Sequence, residues 1–333
     1  MNIPVLRWGI LGTGNIAGKF ATDLGKLGGR AILTAVGSRS RPKAEEFAER
    51  HQAWRGYPGY QQVLDDPEVD AVYISLPNQE HCRWSLAASA AGKHVLCEKP
   101  AGMTAVEVEA MTAAAAQAGT LWLEAFAYRC HPRYARLAEL LNNDAIGQPR
   151  LAQASFCFDG RALGRPRLWD PAMGGGALMD VGVYPLSLLR LIARFCGDDT
   201  PTAISATGDI VGGVDHCSAG TLRFPSGLIA TWQTAISVQA PSIAHIFGDA
   251  GSIEIRAPWR CDEPTFIIRR PGQADEVVIV DDGEPLYGRE ALTVARFAGV
   301  GQAPACTWAD SIAQAQLLDA IRAQLGVEWP VNS

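Results

Sequence analysis

Val5-Leu6-Arg7-Trp8-Gly9-Ile10-Leu11-Gly12-Thr13-Gly14-Asn15-Ile16-Ala17 is the stretch that decides the fold. An apolar run breaks at Gly12, and from Asn15 the pattern predicts a helix to Leu27, so a strand, a glycine turn and a helix follow one another. Gly12-x-Gly14-x-x-Ala17 fits the turn that cradles a dinucleotide. Gly12 permits the tight turn, Gly14 lets backbone approach a pyrophosphate, and Ala17 keeps helix and sheet close. Asn15 and Ile16 open the helix, where free N–H groups and the positive dipole end favour phosphate. A bare glycine-rich turn is the bland alternative; here strand, helix and spacing coincide.

Outward from this turn, strands alternate with helices: Ala31–Gly37 with Pro42–His51, Val69–Leu76 with Glu80–Ala91, His94–Glu98 with Thr104–Ala118, then the strand Thr120–Ala125. Such alternation reads as βαβ units around a doubly wound parallel sheet. After a helix over Pro132–Asn143 and the breaker Gly147-Gln148-Pro149 the style changes. Strands at Leu151–Phe158, Ala203–Ile210, Cys217–Phe224, Leu228–Ala235, Ser242–Phe247 and Ser252–Arg256 follow with few helices between them, predicting an open, mainly antiparallel sheet. Helices are expected at Ala177–Arg194 and Trp308–Leu325. The fold class is α/β, with a dinucleotide-binding Rossmann domain over 1–125 and a substrate-binding, oligomerising domain over 126–333.

The 333 residues exceed the size of one typical core, which agrees with two domains. With 48% hydrophobic residues, 19% charged residues and a net charge of −6, the chain has no basic patch for nucleic acid or an anionic membrane surface. The first strand begins too early for a signal peptide, and no apolar run reads as a membrane span; a soluble, cytoplasmic protein is expected. Eight scattered cysteines without C-x-x-C or Cys/His spacing read as reduced core residues, with no metal site.

A ribose 2'-hydroxyl is usually gripped by an acid about twenty residues past the glycines. None stands there. The second strand ends instead in Gly37-Ser38-Arg39-Ser40-Arg41, offering hydroxyls and guanidinium groups suited to a 2'-phosphate. NADP is therefore expected, with NAD possible; the alternative is that Arg39 and Arg41 are solvated loop charges.

Hydride transfer to or from an alcohol carbon needs a group that moves the hydroxyl proton. Glu98-Lys99-Pro100 ends a strand, where the ligand crevice of an open α/β sheet lies. Gly174-Gly175-Gly176 precedes Asp180 and Tyr184, which share a face if the helix runs through them. Pro185 complicates that face. A tyrosine aided by the Lys99 ammonium suits proton transfer; alternatively Tyr184 is a core aromatic and Asp180 a helix cap.

Together the Gly12–Ala17 turn, Ser75-Leu76-Pro77-Asn78-x-x-His81, Glu98-Lys99-Pro100, Glu124-Ala125 and the segment from Gly174 to Pro185 resemble the glucose-fructose oxidoreductase / inositol dehydrogenase / rhizopine catabolism (Gfo/Idh/MocA) family over almost the whole chain. The resemblance implies Lys99, Asp180 and Tyr184 as catalytic residues. It implies Leu76, Pro77, Asn78, His81, Glu98, Lys99 and Trp169 as cofactor-lining residues, although His81 also reads as a helix-start residue and Trp169 as a structural tryptophan. Tyrosine at 184, where inositol dehydrogenases carry histidine, is similar to the dimeric dihydrodiol dehydrogenase and NADP-dependent xylose dehydrogenase branch.

The expectation is an NADP-dependent oxidoreductase of sugar-like or vicinal-diol substrates, assembled as a homodimer or higher homo-oligomer through its C-terminal sheet. A nicotinamide-dependent glycosidase and a non-catalytic cofactor-binding regulator share the fold. The regulator would ordinarily lack Lys99 or Tyr184, and the glycosidase would retain its cofactor.

Overall fold

The computed structural model describes residues 3–261 and 265–329. The chain forms two compact units: residues 1–130 with 283–315, and residues 131–282 with 316–333. The single boundary expected at 125/126 is thus corrected in two ways. It falls at 130/131, and residues 283–315 return to the first unit. Residues 330–333, the end of the expected second domain, lie outside the described residues.

The first unit runs β1 (Leu6–Leu11), α1 (Asn15–Lys26), β2 (Ala31–Gly37), α2 (Arg41–His51), β3 (Arg55–Tyr57), α3 (Gln61–Asp65), β4 (Ala71–Ile74), α4 (His81–Ala90), β5 (His94–Glu98), α5 (Ala105–Ala118) and β6 (Trp122–Ala125). All six strands are parallel, in the order β3-β2-β1-β4-β5-β6. The order reverses between β1 and β4, which opens a crevice at their carboxyl ends. Val72, Ile74, Val95 and Trp122 pack with Val108 and Met111 of α5 in one core, and burial on both faces explains why these strands read as continuous apolar runs.

The second unit comprises α6 (Pro132–Asn142), β7 (Pro149–Asp159), α7 (Val183–Phe195), β8 (Ala203–Val211), β9 (Val214–Arg223), β10 (Ile229–Ala235), β11 (Ser237–Gly248), β12 (Ser252–Arg256), β13 (Thr265–Arg269) and β14 (Glu276–Ile279). They build one sheet, β14-β13-β12-β11-β7-β10-β9-β8. Its pairs are antiparallel except β7 with β10, which is parallel. Strands consecutive in the chain that pair do so antiparallel, as expected of a mainly antiparallel sheet; the parallel pair joins β7 to the later β10, after a crossover that includes α7. The expected hairpin turns are present, with Phe224 donating its N–H to Leu228 and Gly248 to Gly251.

Helix α7 packs on β7 and β10. The stretch Pro171–Phe195 is long and apolar enough to cross a membrane, yet 94% of its apolar window is buried in the protein. Two further helices close the chain. These are α8 (Leu286–Phe297), in the first unit, and α9 (Trp308–Leu325), whose first half belongs to the first unit and second half to the second.

Candidate active site

In the first unit the sequence-predicted residues gather at the carboxyl ends of β1, β2, β4 and β5. Gly12 has φ +106°, its N–H reaches the Gly37 carbonyl at 3.0 Å, and a Cβ there would meet the Ser75 carbonyl at 3.0 Å. Only glycine fits this turn. Gly14 caps α1 without a side-chain acceptor, no acid occupies the first turn, and a Cβ on Gly14 would meet nothing within 4 Å. The amides of Asn15 and Ile16 thus begin a helix whose donors have no side-chain partner and whose entrance is open, which fits a pyrophosphate. Ala17 is fully buried against the sheet.

Ser38 is nearly buried, its hydroxyl 3.5 Å from Thr13 Oγ1 and 3.4 Å from the Ser40 N–H. Arg39 is exposed beside the Tyr60 hydroxyl, whereas Arg41 pairs with Glu45 at 3.4 Å on the surface of α2. Of the two guanidinium groups, Arg39 is the one not drawn to its own helix.

Leu76 and Pro77 lie half-buried after β4, and Asn78 is buried in the turn into α4. His81 is fully buried, with Nδ1 2.8 Å from the Pro100 carbonyl and Nε2 2.8 Å from the Leu76 carbonyl. It ties the turn after β4 to the loop that carries Lys99. Glu124, fully enclosed, accepts the Ala101 N–H at 3.0 Å and braces the same loop; burial raises its carboxyl to about 7. The half-buried Lys99 is thus held from behind by His81 and Glu124.

Glu98 accepts a 2.5 Å hydrogen bond from the Tyr73 hydroxyl, which burial keeps well above its ordinary pKa and so protonated. Glu290 of α8 lies close to this pair. Burial first, and the Glu98 charge next, push its carboxyl well above the usual range, and neither oxygen has a hydrogen-bond partner among the described residues.

In the second unit the Asp180 and Tyr184 segment departs from a plain α-helix. Leu178–Gly182 winds as one π turn, with the Val183 N–H reaching Leu178, before α7 begins. Pro185 follows the π turn at the third residue of α7 and contributes no N–H to the helix there. The shared-face argument from a spacing of four is corrected accordingly, because the π turn shifts Asp180 relative to Tyr184. Asp180, buried, accepts from Arg167 Nη2 at 2.7 Å.

The triple glycine has a steric cause: Gly176 has φ +103° and its Cβ would lie 2.3 Å from Asp215 Oδ1. Asp215 accepts the Leu178 N–H at 2.9 Å and the Ser218 hydroxyl at 2.7 Å; burial lifts it to about 6. Tyr184 packs against Phe156 (ring centroids 5.4 Å) and Trp259 (5.7 Å), while Trp169 meets His216 edge-on at 4.8 Å.

Sequence reasoning missed Arg167, Asp215, Glu290, Phe156 and Trp259. Asp215 and Glu290 are polar residues buried by tertiary structure, which no local pattern marks. Ala257-Pro258-Trp259, a turn ending in an aromatic, is the one signal that was there to find.

The glycine turn, the open start of α1 and the reversal of strand order between β1 and β4 define a dinucleotide-binding fold. A family model described as an oxidoreductase family with an NAD-binding Rossmann fold (GFO/IDH/MocA) matches residues 6–126, and the GFO/IDH/MocA C-terminal domain matches residues 134–254. The chain belongs to the GFO/IDH/MocA oxidoreductase family.

It is 33% identical over 332 residues to trans-1,2-dihydrobenzene-1,2-diol dehydrogenase of Mus musculus, covering 98% of each chain. Its identity to the Danio rerio enzyme of that name is 32% over 339 residues, 98% of this chain and 99% of the other. Among solved structures, KijD10, a 3-ketoreductase from Actinomadura kijaniata in complex with NADP and TDP-benzene, is 27% identical with a TM-score of 0.84, covering 97% and 98% of the two chains. A levoglucosan dehydrogenase in complex with NADH and levoglucosan has the same TM-score at 20% identity, with 96% and 97% covered, and shares the fold.

Proposed function

We propose that the chain is an NADP-preferring dehydrogenase or reductase that interconverts a secondary alcohol and a carbonyl in a vicinal-diol or sugar-like substrate. The observation that carries this reading is Lys99 at the end of β5 together with Tyr184 at the start of α7, in a chain a third identical over nearly its whole length to dihydrodiol dehydrogenases. NADP preference rests on the missing acid after β2, on the exposed Arg39 and on Ser38. Bound nicotinamide supplies the hydride acceptor or donor. Tyr184 holds the proton of the reacting hydroxyl at its phenolic oxygen, Lys99 assists with its ammonium, and Asp180, charge-matched by Arg167, orients the substrate hydroxyls. The aromatic surroundings of Tyr184 suit a substrate with a flat apolar face. Eight cysteines, all free, agree with a reducing, cytoplasmic setting.

The test is turnover of trans-1,2-dihydrobenzene-1,2-diol and a panel of aldoses, followed by nicotinamide absorbance with NADP and NAD in parallel. Tyr184→Phe keeps the ring and deletes the proton carrier, so kcat should fall about a hundredfold to ten-thousandfold with cofactor affinity retained. Lys99→Met should behave alike, and the double variant should be little worse than either. Near-normal turnover by Tyr184→Phe would remove the tyrosine from the chemistry; equal kcat/KM with both cofactors would remove the NADP preference.

A further inference from the structure

Trp259 sits in a turn with unusual backbone. Ala257 has φ +42° and Cys261 φ +54°, so two non-glycine residues in the left-handed region bracket it. Each is disfavoured relative to ordinary backbone, because the Cβ crowds the following carbonyl oxygen. Such a turn persists only where its surroundings hold it. Here the grip is visible: the Pro258 carbonyl accepts from Arg133 Nη2 and from the Tyr134 hydroxyl, both at 2.7 Å, and Arg133 Nη2 also lies 3.3 Å from Cys261 Sγ.

Arg133 is fully buried and Tyr134 nearly so, at the start of α6, where His131 caps the helix by accepting the Arg133 N–H. A buried guanidinium and a buried phenol on one carbonyl form a rigid contact, since a charged donor in a dry setting makes the stronger kind of hydrogen bond. What the turn presents is one ring. Trp259 is buried, its ring 5.7 Å from Tyr184 and stacked at 6.0 Å and 11° on Phe156, which also touches Tyr184.

We propose that Arg133 and Tyr134 are positioning residues that act through the Pro258 carbonyl, holding the strained 257–261 turn in the shape that seats Trp259 against Tyr184. They touch neither substrate nor cofactor in this role. Their effect on turnover rests on Tyr184 being the proton carrier; their effect on Trp259 does not.

The experiment therefore has two arms. In the first, the protein is labelled with 5-fluorotryptophan, and the Trp259 fluorine resonance is assigned by its loss in Trp259→Phe. Tyr134→Phe, which keeps the ring, and Arg133→Lys, which keeps the charge, should each move or broaden that resonance and leave the other tryptophans in place. Adding Ala257→Gly, which relieves the left-handed residue, should return it toward the wild-type position in the Tyr134→Phe background. A Trp259 resonance unchanged in both single variants overturns the proposal.

The second arm measures kcat and KM on trans-1,2-dihydrobenzene-1,2-diol. Tyr134→Phe should lower kcat/KM about three- to tenfold, and by less than about twofold once Trp259 is already Phe. Equal losses in both backgrounds would mean a general structural role and overturn it too. Should wild type not turn over the diol, the reading of the substrate fails and the fluorine arm still decides the clamp.

Discussion

Glu124 accepts the Ala101 N–H and so braces the loop that carries Lys99. Burial raises its pKa from the ordinary 4.5 to about 7. Between those values the folded protein holds a proton that the unfolded chain has released, so stability falls as pH rises through that window, by on the order of 3 kcal/mol. Glu124→Gln keeps an oxygen for Ala101 and does not titrate. Its unfolding free energy from urea melts should therefore gain on wild type as pH rises from 4.5 to 7, and a constant difference would show that the carboxyl ionises freely in the fold. Lys99 and Tyr184 were candidates from residue type and the family resemblance, and they remain part of the proposed function. Gly12 could be found from residue type and spacing, because its backbone demand is local. Glu290 could not, since nothing in a sequence marks an acid for burial.

Elements with one apolar face or a full apolar run were readable: β1, β4, β5 and α5 all stand near where periodicity puts them. Helix α8 was missed because Arg289 and Glu290 are buried in it and interrupt the stripe that would announce a helix. Three-residue β3 and the late strands β13 and β14 were missed too, being short or at a sheet edge. The π turn before α7 has no periodic signature; its first residue, Leu178, is tied to a distant part of the chain by the hold of Asp215 on its N–H. Asp215→Ala leaves that buried donor unpaired, which costs about 1–3 kcal/mol. Hydrogen exchange should quicken at Leu178–Val183 and stay slow in β1 and β4; uniform protection across the variant would show that the turn does not depend on this carboxylate.

For the whole molecule, the second sheet leaves one row of Ile229, Leu151 and Phe247 side by side on neighbouring strands, all three exposed. We propose that a second copy of the chain covers this face, giving the homo-oligomer expected from the sequence. Light scattering at micromolar concentration should report at least a dimer, and Leu151→Glu should shift it toward the single-chain mass. A monodisperse monomer in the wild type would end that idea.

The return of residues 283–315 to the first unit bears on how the chain is made. A ribosome that has delivered residues 1–130 has released every strand of the parallel sheet, but Arg129 must wait for Asp310 and the Ala305 carbonyl, and the Trp122 carbonyl for the Trp308 indole. The first unit is begun before any other part of the chain, yet its packing is completed only after residues 131–282 have been made, so a nascent chain stalled midway lacks the partners of Arg129 and of the Trp122 carbonyl.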